Sequence, residues 1–386
     1  MRVLSIRTAS ETLVPAGLML FMAFCLVAFM AAPTLAAQSI KIGMITGKTG
    51  KAGTSNKISF SGARFAVKTI NDEGGILGRP VELLEYDNLS TAEGSAGAAR
   101  QALADGAVAV VGCNWSSHSL AMARVLQKAG VPMVSHSSTN PAVTQVGNYI
   151  FRACFTDSFQ GQGLAHFALT RLNSVTAVVL EDTSRTYSTG LAETFTKAFE
   201  AGGGRIVWKG EYTQDDYRVD DMLQAVSEHA PDVLFVPGGY ADVAAFFGAA
   251  ARYGIRSARI SGDGIGIKLF EYIGDKAEDV YYSGHWSRWV NSKQSKDFVR
   301  RYEAEVGTVS QDTIALAYDS VMLIKDAIER AEGTTPAAIR DGLATTSGFM
   351  GVTGTIRFDD NGDPIKSLVI NRLKFGGRLY LEQIDP

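Results

Sequence analysis

The chain has 386 residues, of which 46% are hydrophobic and 20% are charged, and its formal net charge is −3. That length exceeds one ordinary domain and predicts two globular units of roughly 150 to 200 residues. The composition excludes a disordered chain. A mildly acidic chain without a basic run also gives no electrostatic footprint for nucleic acid.

The first 37 residues have the pattern of a secretory signal peptide. Arg2 and Arg7 precede an apolar run over residues 17–32, and small residues follow at the cleavage positions. We predict cleavage near Ala36 or Ala37 and export of the remainder. The rival interpretation is a retained membrane anchor, but the run is short for a span.

From residue 40 onward, short β-branched runs alternate with amphipathic helical stretches, a pattern typical of βαβ units. The first series predicts strands over 40–46, 80–87, 107–112 and 131–135, and helices over 60–71, about 98–104 and 117–129.

A second series reproduces the first after residue 158. It predicts helices over 160–172, 190–201, 219–229 and 241–253, and strands over 174–182, 205–212, 232–239 and 258–264. Repeated βαβ units imply parallel sheets with helices on both faces. The predicted fold class is α/β, with two doubly wound parallel-sheet lobes.

The remainder is less regular. We expect a strand over 280–284, long helices near 293–306 and 313–331, and a β-rich tail. Asn361-Gly362 predicts a hairpin turn between TGTIRF and SLVINRLKF. Because no Pro-rich or Ser-rich linker separates the lobes, we expect short crossings between them, which suits a hinge.

Hydroxyl side chains follow two successive strands of the first lobe. Ser116 and Ser117 come after the strand ending at residue 112, and Ser137 and Thr139 follow the strand ending near residue 135. Ligands of parallel α/β sheets bind at the carboxyl ends of strands. With Ser116 as the N-cap of the next helix, its free N–H groups predict a cradle for a carboxylate or phosphate. The alternative is plain capping and turn chemistry.

The second lobe presents a different set at its strand ends, namely Tyr187, Tyr240 and Asp263. A carboxylate at the end of an apolar strand, facing hydroxyls from the other lobe, would suit an ammonium group. The alternative for Asp263 is a cap on a following helix over residues 265–273.

Enzyme and metal signals are weak. The chain lacks a G-x-S-x-G elbow, and neither His118 nor His136 has a carboxylate nearby in sequence to orient it. Neither HExxH nor CxxC occurs, so we expect no metal and no cofactor. For Cys113 and Cys154 we favour two buried thiols over a disulfide.

These motifs together resemble the type I periplasmic binding proteins of ABC importers, in the leucine/isoleucine/valine-binding branch. The resemblance covers nearly all of residues 40–375. It is carried by the segments FSGARFAVKTINDEGGILGRPVELLEYD, VVGCNWSSHSLAMARVLQKAGVPMVSHSSTNPAVTQVGNYIFR, FTDSFQGQG, YSTGLAE, FVPGGY and ISGDG.

The resemblance implies two lobes joined by a three-crossing hinge that close on a ligand. The implied crossings lie near residues 153–157, 282–285 and 355–358. The signal peptide is then residues 1–37. Lobe 1 comprises residues 38–156 plus 285–356, and lobe 2 comprises residues 157–284 plus 357–386.

The resemblance also implies roles for the strand-end residues. Ser116, Ser117, Ser137 and Thr139 would hold the carboxylate of an amino acid, and Asp263 would hold its ammonium. The ligand would lie between the lobes against aromatic side chains, for which the candidates are Tyr187, Tyr240 and Trp115, with Trp286 and Trp289 as further possible walls.

Three departures from the branch bear on the ligand's side chain. The loop over residues 46–57 is longer and has no aromatic residue, Thr313 stands where an apolar aromatic often lines the pocket, and Asp263 is one carbon shorter than the usual Glu. Four classes of amino-acid ligand therefore remain open: branched-chain, larger, polar and aromatic.

The implied function is a non-enzymatic, periplasmic substrate-binding component of an ABC importer. Its expected partners are a small-molecule ligand, an amino acid, and a permease in the inner membrane, with the protein itself a monomer and without nucleic acid. The alternative is a receptor of the same fold for amides, urea or aromatic acids. An exported serine hydrolase is less favoured.

Overall fold

Two separate β-sheets organise the computed structural model, which describes residues 38–386. The predicted signal peptide of residues 1–37 lies outside the described residues. The first sheet has five strands, all parallel, in the spatial order β2-β1-β3-β4-β5. These strands are β1 (Ile40–Thr46), β2 (Val81–Asp87), β3 (Ala109–Gly112), β4 (Met133–Ser135) and β5 (Ile150–Arg152).

The second sheet has seven strands in the order β14-β13-β10-β9-β8-β6-β7. Five of them are parallel, while β13 pairs antiparallel with both β10 and β14. A short separate hairpin joins β11 and β12. The strands are β6 (Thr176–Asp182), β7 (Arg205–Tyr212), β8 (Val233–Phe235), β9 (Ala258–Ser261), β10 (Val280–Gly284), β11 (Phe349–Gly351), β12 (Gly354–Ile356), β13 (Leu368–Lys374) and β14 (Gly377–Ile384).

Twelve α-helices and three 3₁₀ helices are present in residues 38–386. The α-helices are α1 (Gly53–Asn56), α2 (Ser59–Asp72), α3 (Ala92–Ala104), α4 (Ser116–Ala129), α5 (Asp157–Thr170), α6 (Thr186–Ala201), α7 (Val219–His229), α8 (Tyr240–Ala249), α9 (Leu269–Ile273), α10 (Lys293–Glu305), α11 (Asp312–Ala331) and α12 (Pro336–Ala344); the 3₁₀ helices span Pro141–Val146, Ala250–Tyr253 and Gly274–Ala277.

Helices cover both faces of each sheet, as near-continuous apolar strands require. One core lies between the first sheet and α2, α10, α11 and α12, and a second lies on the opposite face against α3 and α4. The second sheet is covered by α5 and α6 on one face and by α7 and α8 on the other. The predicted α/β class with doubly wound lobes is confirmed, apart from the antiparallel edge of the second sheet.

The chain passes between the two sheets three times. It leaves the first sheet after β5 and enters α5, returns after β10 with Trp286 in the first sheet's core, and leaves again between β12 and β13. The first sheet therefore takes its partner helices α10 to α12 from late in the chain.

The predicted hairpin around Asn361-Gly362 forms only locally, where Phe358 and Pro364 make an isolated antiparallel bridge across the turn. A tight turn forms, with the Gly362 N–H donating to the Asp359 carbonyl, but β12 and β13 do not pair. Instead β12 pairs with β11, and β13 joins the second sheet. The turn lies on the third crossing, so its two flanking strands belong to different sheets.

Several helix starts also differ from prediction. Helices α5 and α6 begin at Asp157 and Thr186, three and four residues before the predicted starts at 160 and 190. Helix α3 begins at Ala92 rather than near residue 98, because the Thr91 side chain caps it by accepting from the Gly94 N–H. Its first turns are rich in Ala and Gly and carry little apolar periodicity. Conversely, the helix predicted over residues 265–273 is confined to α9, which begins only at Leu269.

No helix within residues 38–386 is both long and apolar enough to cross a membrane.

Candidate ligand-binding site

The carboxyl ends of β3 and β4 meet at one side of a cavity of about 320 Å³ between the two sheets. Gly112 ends β3 with φ 145°, and a Cβ there would lie 2.1 Å from the Ile45 carbonyl oxygen. Only glycine fits this close approach. It lets the chain turn from the sheet directly into the segment that precedes α4.

The N-terminus of α4 faces this cavity. Ser116 and Ser117 line it, and their N–H groups have no hydrogen-bond acceptor within residues 38–386. The prediction that Ser116 is the N-cap is wrong: the cap is Trp115, and the Ser116 hydroxyl accepts from the Asn140 N–H at 3.3 Å. The free N–H groups and the helix dipole still make an anion cradle.

The two predicted ligand residues in the loop after β4 differ in their position relative to the cavity. Ser137 lines the cavity, whereas Thr139 does not. Thr139 is 1% exposed, its hydroxyl lies near the Asp157 carboxyl, and its carbonyl oxygen accepts from the Asp157 N–H at 2.8 Å. Thr139 therefore contacts the first crossing rather than the cavity.

Across the cavity, Asp263 follows β9 and only 6% of its side chain is exposed. Gln160 Nε2 and the Tyr187 hydroxyl donate to its Oδ1 at 2.7 and 2.9 Å, and His285 Nε2 lies 2.9 Å from its Oδ2. Burial acts to raise the pKa of Asp263, but these partners outweigh it, with His285 the largest of them, and lower the pKa below its usual range.

Asp263 does not cap a helix, because α9 starts at Leu269, six residues after Asp263, and the N-cap of α9 is Lys268, which makes no side-chain capping bond. Burial and the neighbouring Asp263 charge raise the pKa of Tyr187 well above its usual range. Tyr187 therefore stays a neutral donor and Asp263 an ionised acceptor.

Aromatic side chains form much of the remaining wall. Tyr240 stacks on Tyr272 with ring centroids 5.6 Å apart, and both line the cavity. Trp115 also lines it, under the Arg185 guanidinium at 4.9 Å. The other two candidate tryptophans do not contribute: Trp286 is 1% exposed in the core, and Trp289 is 68% exposed.

The charge of Arg185 is already compensated. Its guanidinium pairs with Asp182 at 3.1 Å and with Asp242 at 2.9 Å, and both carboxylates are fully buried. Arg185 therefore acts as a rigid bridge between β6 and α8 that supports Trp115, and it adds little net charge to the cavity.

Seven of the eight predicted site residues thus surround one cavity, with Thr139 outside it. Sequence reasoning missed Gln160 and His285, which hold the Asp263 carboxylate together with Tyr187. It also missed most of the polar lining of the cavity. The missed lining residues include Lys51, Ser55, Asn56, Asn114, Arg185, Gln214, Tyr217, Tyr282, Gln311, Asp312 and Arg378. Only their positions near strand ends or crossings could have pointed to them.

The histidines near the serines do not form a catalytic arrangement. His118 contacts Asn88, and burial lowers its pKa to about 4; His136 contacts Asn114, and burial lowers its pKa to about 3. Neither ring is hydrogen bonded to Ser116 or Ser117, so the structure gives the hydrolase alternative no support.

Cys113 and Cys154 are both buried free thiols, and burial raises the pKa of each to about 12. Within residues 38–386, no group of three or more His, Cys, Asp or Glu side chains is placed to hold a metal ion.

The chain matches the sequence model of the periplasmic binding proteins over residues 39–378, and it belongs to that family. It is a substrate-binding protein of the Leu/Ile/Val-binding type that serves ABC transporters, as the resemblance implied.

Relatives and solved structures agree on this type. The chain is 24% identical over 328 residues to the leucine-specific-binding protein of Salmonella typhimurium, covering 85% of this chain and 88% of that one. It is 32% identical to a leucine-binding protein from Thermotoga maritima, with TM-score 0.86, covering 90% and 99% of the two chains. A branched-chain amino acid substrate-binding protein from Streptococcus pneumoniae, in complex with isoleucine, gives 29% identity and TM-score 0.85, covering 90% and 100%.

Proposed function

We propose that this protein captures an α-amino acid for an ABC importer, with the ligand's carboxylate at the N-terminus of α4 and its ammonium at Asp263. The observation that carries the proposal is the pairing of two opposite half-sites across one cavity. On one side lie the unpaired N–H groups of Ser116 and Ser117, and on the other a buried carboxylate.

Asp263 has room for one more donor. A carboxylate offers about four acceptor sites, and three are occupied here, two on Oδ1 and one on Oδ2. The ligand's ammonium would take the remaining site on Oδ2. A buried charge needs full pairing, since an unpaired one costs several kcal/mol, so this carboxylate favours a cationic partner.

Closure would bring the half-sites together. We propose that residues 38–156 plus 285–356 form one lobe, and that residues 157–284 plus 357–386 form the other. The contacts that bridge them support a closed arrangement: Lys51 pairs with Asp215 at 3.2 Å, and Lys268 donates to the Thr54 carbonyl at 3.1 Å. Ligand bound to both lobes would stabilise this closed state.

The deciding experiment compares each amino acid with the keto acid that lacks only the ammonium. Isothermal titration and thermal unfolding of the ligand-stripped protein would test L-amino acids, their keto acids, simple amides, urea and aromatic acids. A true ligand at about 1,000 times its Kd stabilises the fold by about 4 kcal/mol.

We expect binding of one or more amino acids and at least about 100-fold weaker binding of the matched keto acids. Binding only of amides, urea or aromatic acids would refute the amino-acid assignment and favour the alternative receptor. Turnover of a chromogenic ester, abolished by Ser116→Ala, would instead revive the hydrolase.

We also propose export to the periplasm, cleavage near Ala36 or Ala37, a monomeric state and docking on an inner-membrane permease. The signal-like pattern of residues 17–32 supports the export step. Mass spectrometry of protein recovered from the periplasm checks the cleavage position, and an uncleaved chain retained in the membrane would contradict it.

A further inference from the structure

The cavity wall that remains after the zwitterion is placed has an aromatic and apolar part, which includes Tyr240, Tyr272, Ile265 and Ile267, and a polar part. Asn56, Tyr282, Asp312, Thr313 and Arg378 all line the same cavity, and together they are called the side-chain subsite here. This subsite adjoins the ammonium position: the Asp312 Oδ2 accepts from the backbone N–H of His285 at 2.9 Å, while the ring of His285 contacts Asp263. An amino acid clamped at both ends of its zwitterion therefore directs its side chain into this region.

Two polar atoms of the side-chain subsite are buried without a hydrogen-bond partner within residues 38–386. They are Asn56 Nδ2 and the Thr313 hydroxyl. Asn56 is 4% exposed as a whole residue, so solvent does not reach it freely. Buried polar groups in folded proteins are nearly always paired. Atoms left unpaired in a ligand cavity therefore indicate bonds that the ligand supplies.

The subsite also holds one acid and one base that form no ion pair in the described residues, Asp312 and Arg378. The other cavity cations differ in this respect. Lys51 pairs with Asp215, and Arg185 pairs with two buried carboxylates. The Arg378 guanidinium donates a hydrogen bond to the Tyr282 hydroxyl, and the Asp312 carboxylate also lies near that hydroxyl. The subsite is thus neutral in sum, with donors and acceptors exposed to the ligand.

The balance of one acid and one base in the subsite discriminates between ligands by the chemical group at the end of their side chain. A carboxylate would face Asp312, and an ammonium would face Arg378, so each meets one like charge. A hydrocarbon would leave the two unpaired atoms, Asn56 Nδ2 and the Thr313 hydroxyl, buried without partners, which is the costly case. A neutral group with both acceptors and donors fills both kinds of position at once.

We propose that the ligand is an α-amino acid whose side chain ends in a neutral carboxamide or ureido group, held by Asn56, Thr313, Asp312 and Arg378. The carbonyl oxygen accepts from Asn56 Nδ2 and the Arg378 guanidinium, and the N–H groups donate to Asp312 and Thr313. This inference rests on the proposed function, because it takes the positions of the carboxylate and ammonium from it.

The first test uses side chains of one shape and different chemistry. L-Glutamine, L-glutamate and L-homoleucine are nearly isosteric, and L-citrulline, L-lysine and L-leucine extend the set. Isothermal titration would measure the Kd of each on the ligand-stripped protein. We expect L-glutamine or L-citrulline to bind at least about tenfold more tightly than L-glutamate, L-lysine and L-homoleucine, since each neutral hydrogen bond is worth roughly threefold to tenfold.

The second test removes one hydroxyl. Thr313→Val keeps the side chain's shape and should weaken the preferred amide ligand about threefold to tenfold, while narrowing its advantage over L-homoleucine. Thr196→Val is the matched control, because the Thr196 hydroxyl is also buried and unpaired but lies on α6 outside the cavity lining. It should leave the order of affinities unchanged.

Tighter binding of L-leucine or L-homoleucine than of both amide ligands would overturn the inference and leave the proposed amino-acid function standing. The tightest binding by L-glutamate or L-lysine would overturn the neutral-group assignment in the same way. Binding of none of the amino acids would refute the proposed function itself, and this inference with it. Because the panel needs only the wild-type protein, the inference stays testable even if Thr313→Val does not fold.

Discussion

Replacing Asp263 by Asn isolates the charge at the proposed ammonium position while keeping the side chain's shape. With only 6% of the Asp263 side chain exposed, solvent screens a bound ammonium very little. The estimate for a buried pair therefore applies rather than the value of about 0–1 kcal/mol for a surface pair. Removing one partner of a buried pair costs about 3–5 kcal/mol. We expect Asp263→Asn to weaken amino-acid binding by about two to nearly four orders of magnitude.

The same substitution also disturbs the protein without ligand. An amide offers one acceptor oxygen and one NH₂ group, so one of the three donors on Asp263 would face another donor. The free energy of unfolding should fall by about 1–3 kcal/mol. Affinity and stability must therefore be measured separately, by titration calorimetry and by denaturant unfolding.

Asp232→Asn provides the matched control. This carboxylate precedes β8, at the opposite end of the second sheet, and accepts from the N–H groups of Val175 and Thr176 at 2.9 Å each. Its loss should lower stability without changing affinity. A fall in amino-acid affinity below about tenfold for Asp263→Asn, or an equal fall for the matched keto acid, would refute the ammonium assignment.

Further predictions concern the frame of the site. Gly112→Ala should destabilise the fold by more than about 2 kcal/mol in denaturant unfolding. Gly74→Ala should cost less, because Gly74 has φ 98° but nothing lies within 4 Å of the added carbon. Equal losses of stability in the two variants would contradict the argument from close contact. Because burial lowers the pKa values of His118 and His136 to about 4 and about 3, the unfolded chain binds more protons than the native state below pH 6.5. The contribution of these two histidines to the free energy of unfolding should therefore decrease as pH falls from about 6.5 to about 4. Protonation of either ring at its usual pH in an NMR titration of the native protein would contradict two neutral buried histidines. Lys51→Ala removes an exposed ion pair between the proposed lobes and should change the ligand Kd by less than about fivefold in calorimetry. A larger loss of affinity would mean that this ion pair contributes substantially to closure.

Much of the fold could be predicted from the sequence because strands and helices leave local periodic signals. The bounds of β1, β7, β10 and α7 agree with the predictions, since each is an apolar run or amphipathic stretch with clear ends. Where the local signal fails, so does the prediction. The start of α3 lacks apolar spacing, and the segment after Asp263 has helical composition without a helix until α9.

The sequence by itself determined the alternation of strands and helices, the hydroxyl-rich strand ends and the acid at Asp263, because each depends on residues close together in the chain. Only the tertiary structure decided the partners. Gln160 lies 103 positions from Asp263 and reaches it because α5 packs on the second sheet. Thr139 contacts the first crossing, the two strands beside Asn361-Gly362 join different sheets, and Asp312 and Arg378 meet at one cavity. These outcomes depend on how distant segments pack, which no local pattern encodes.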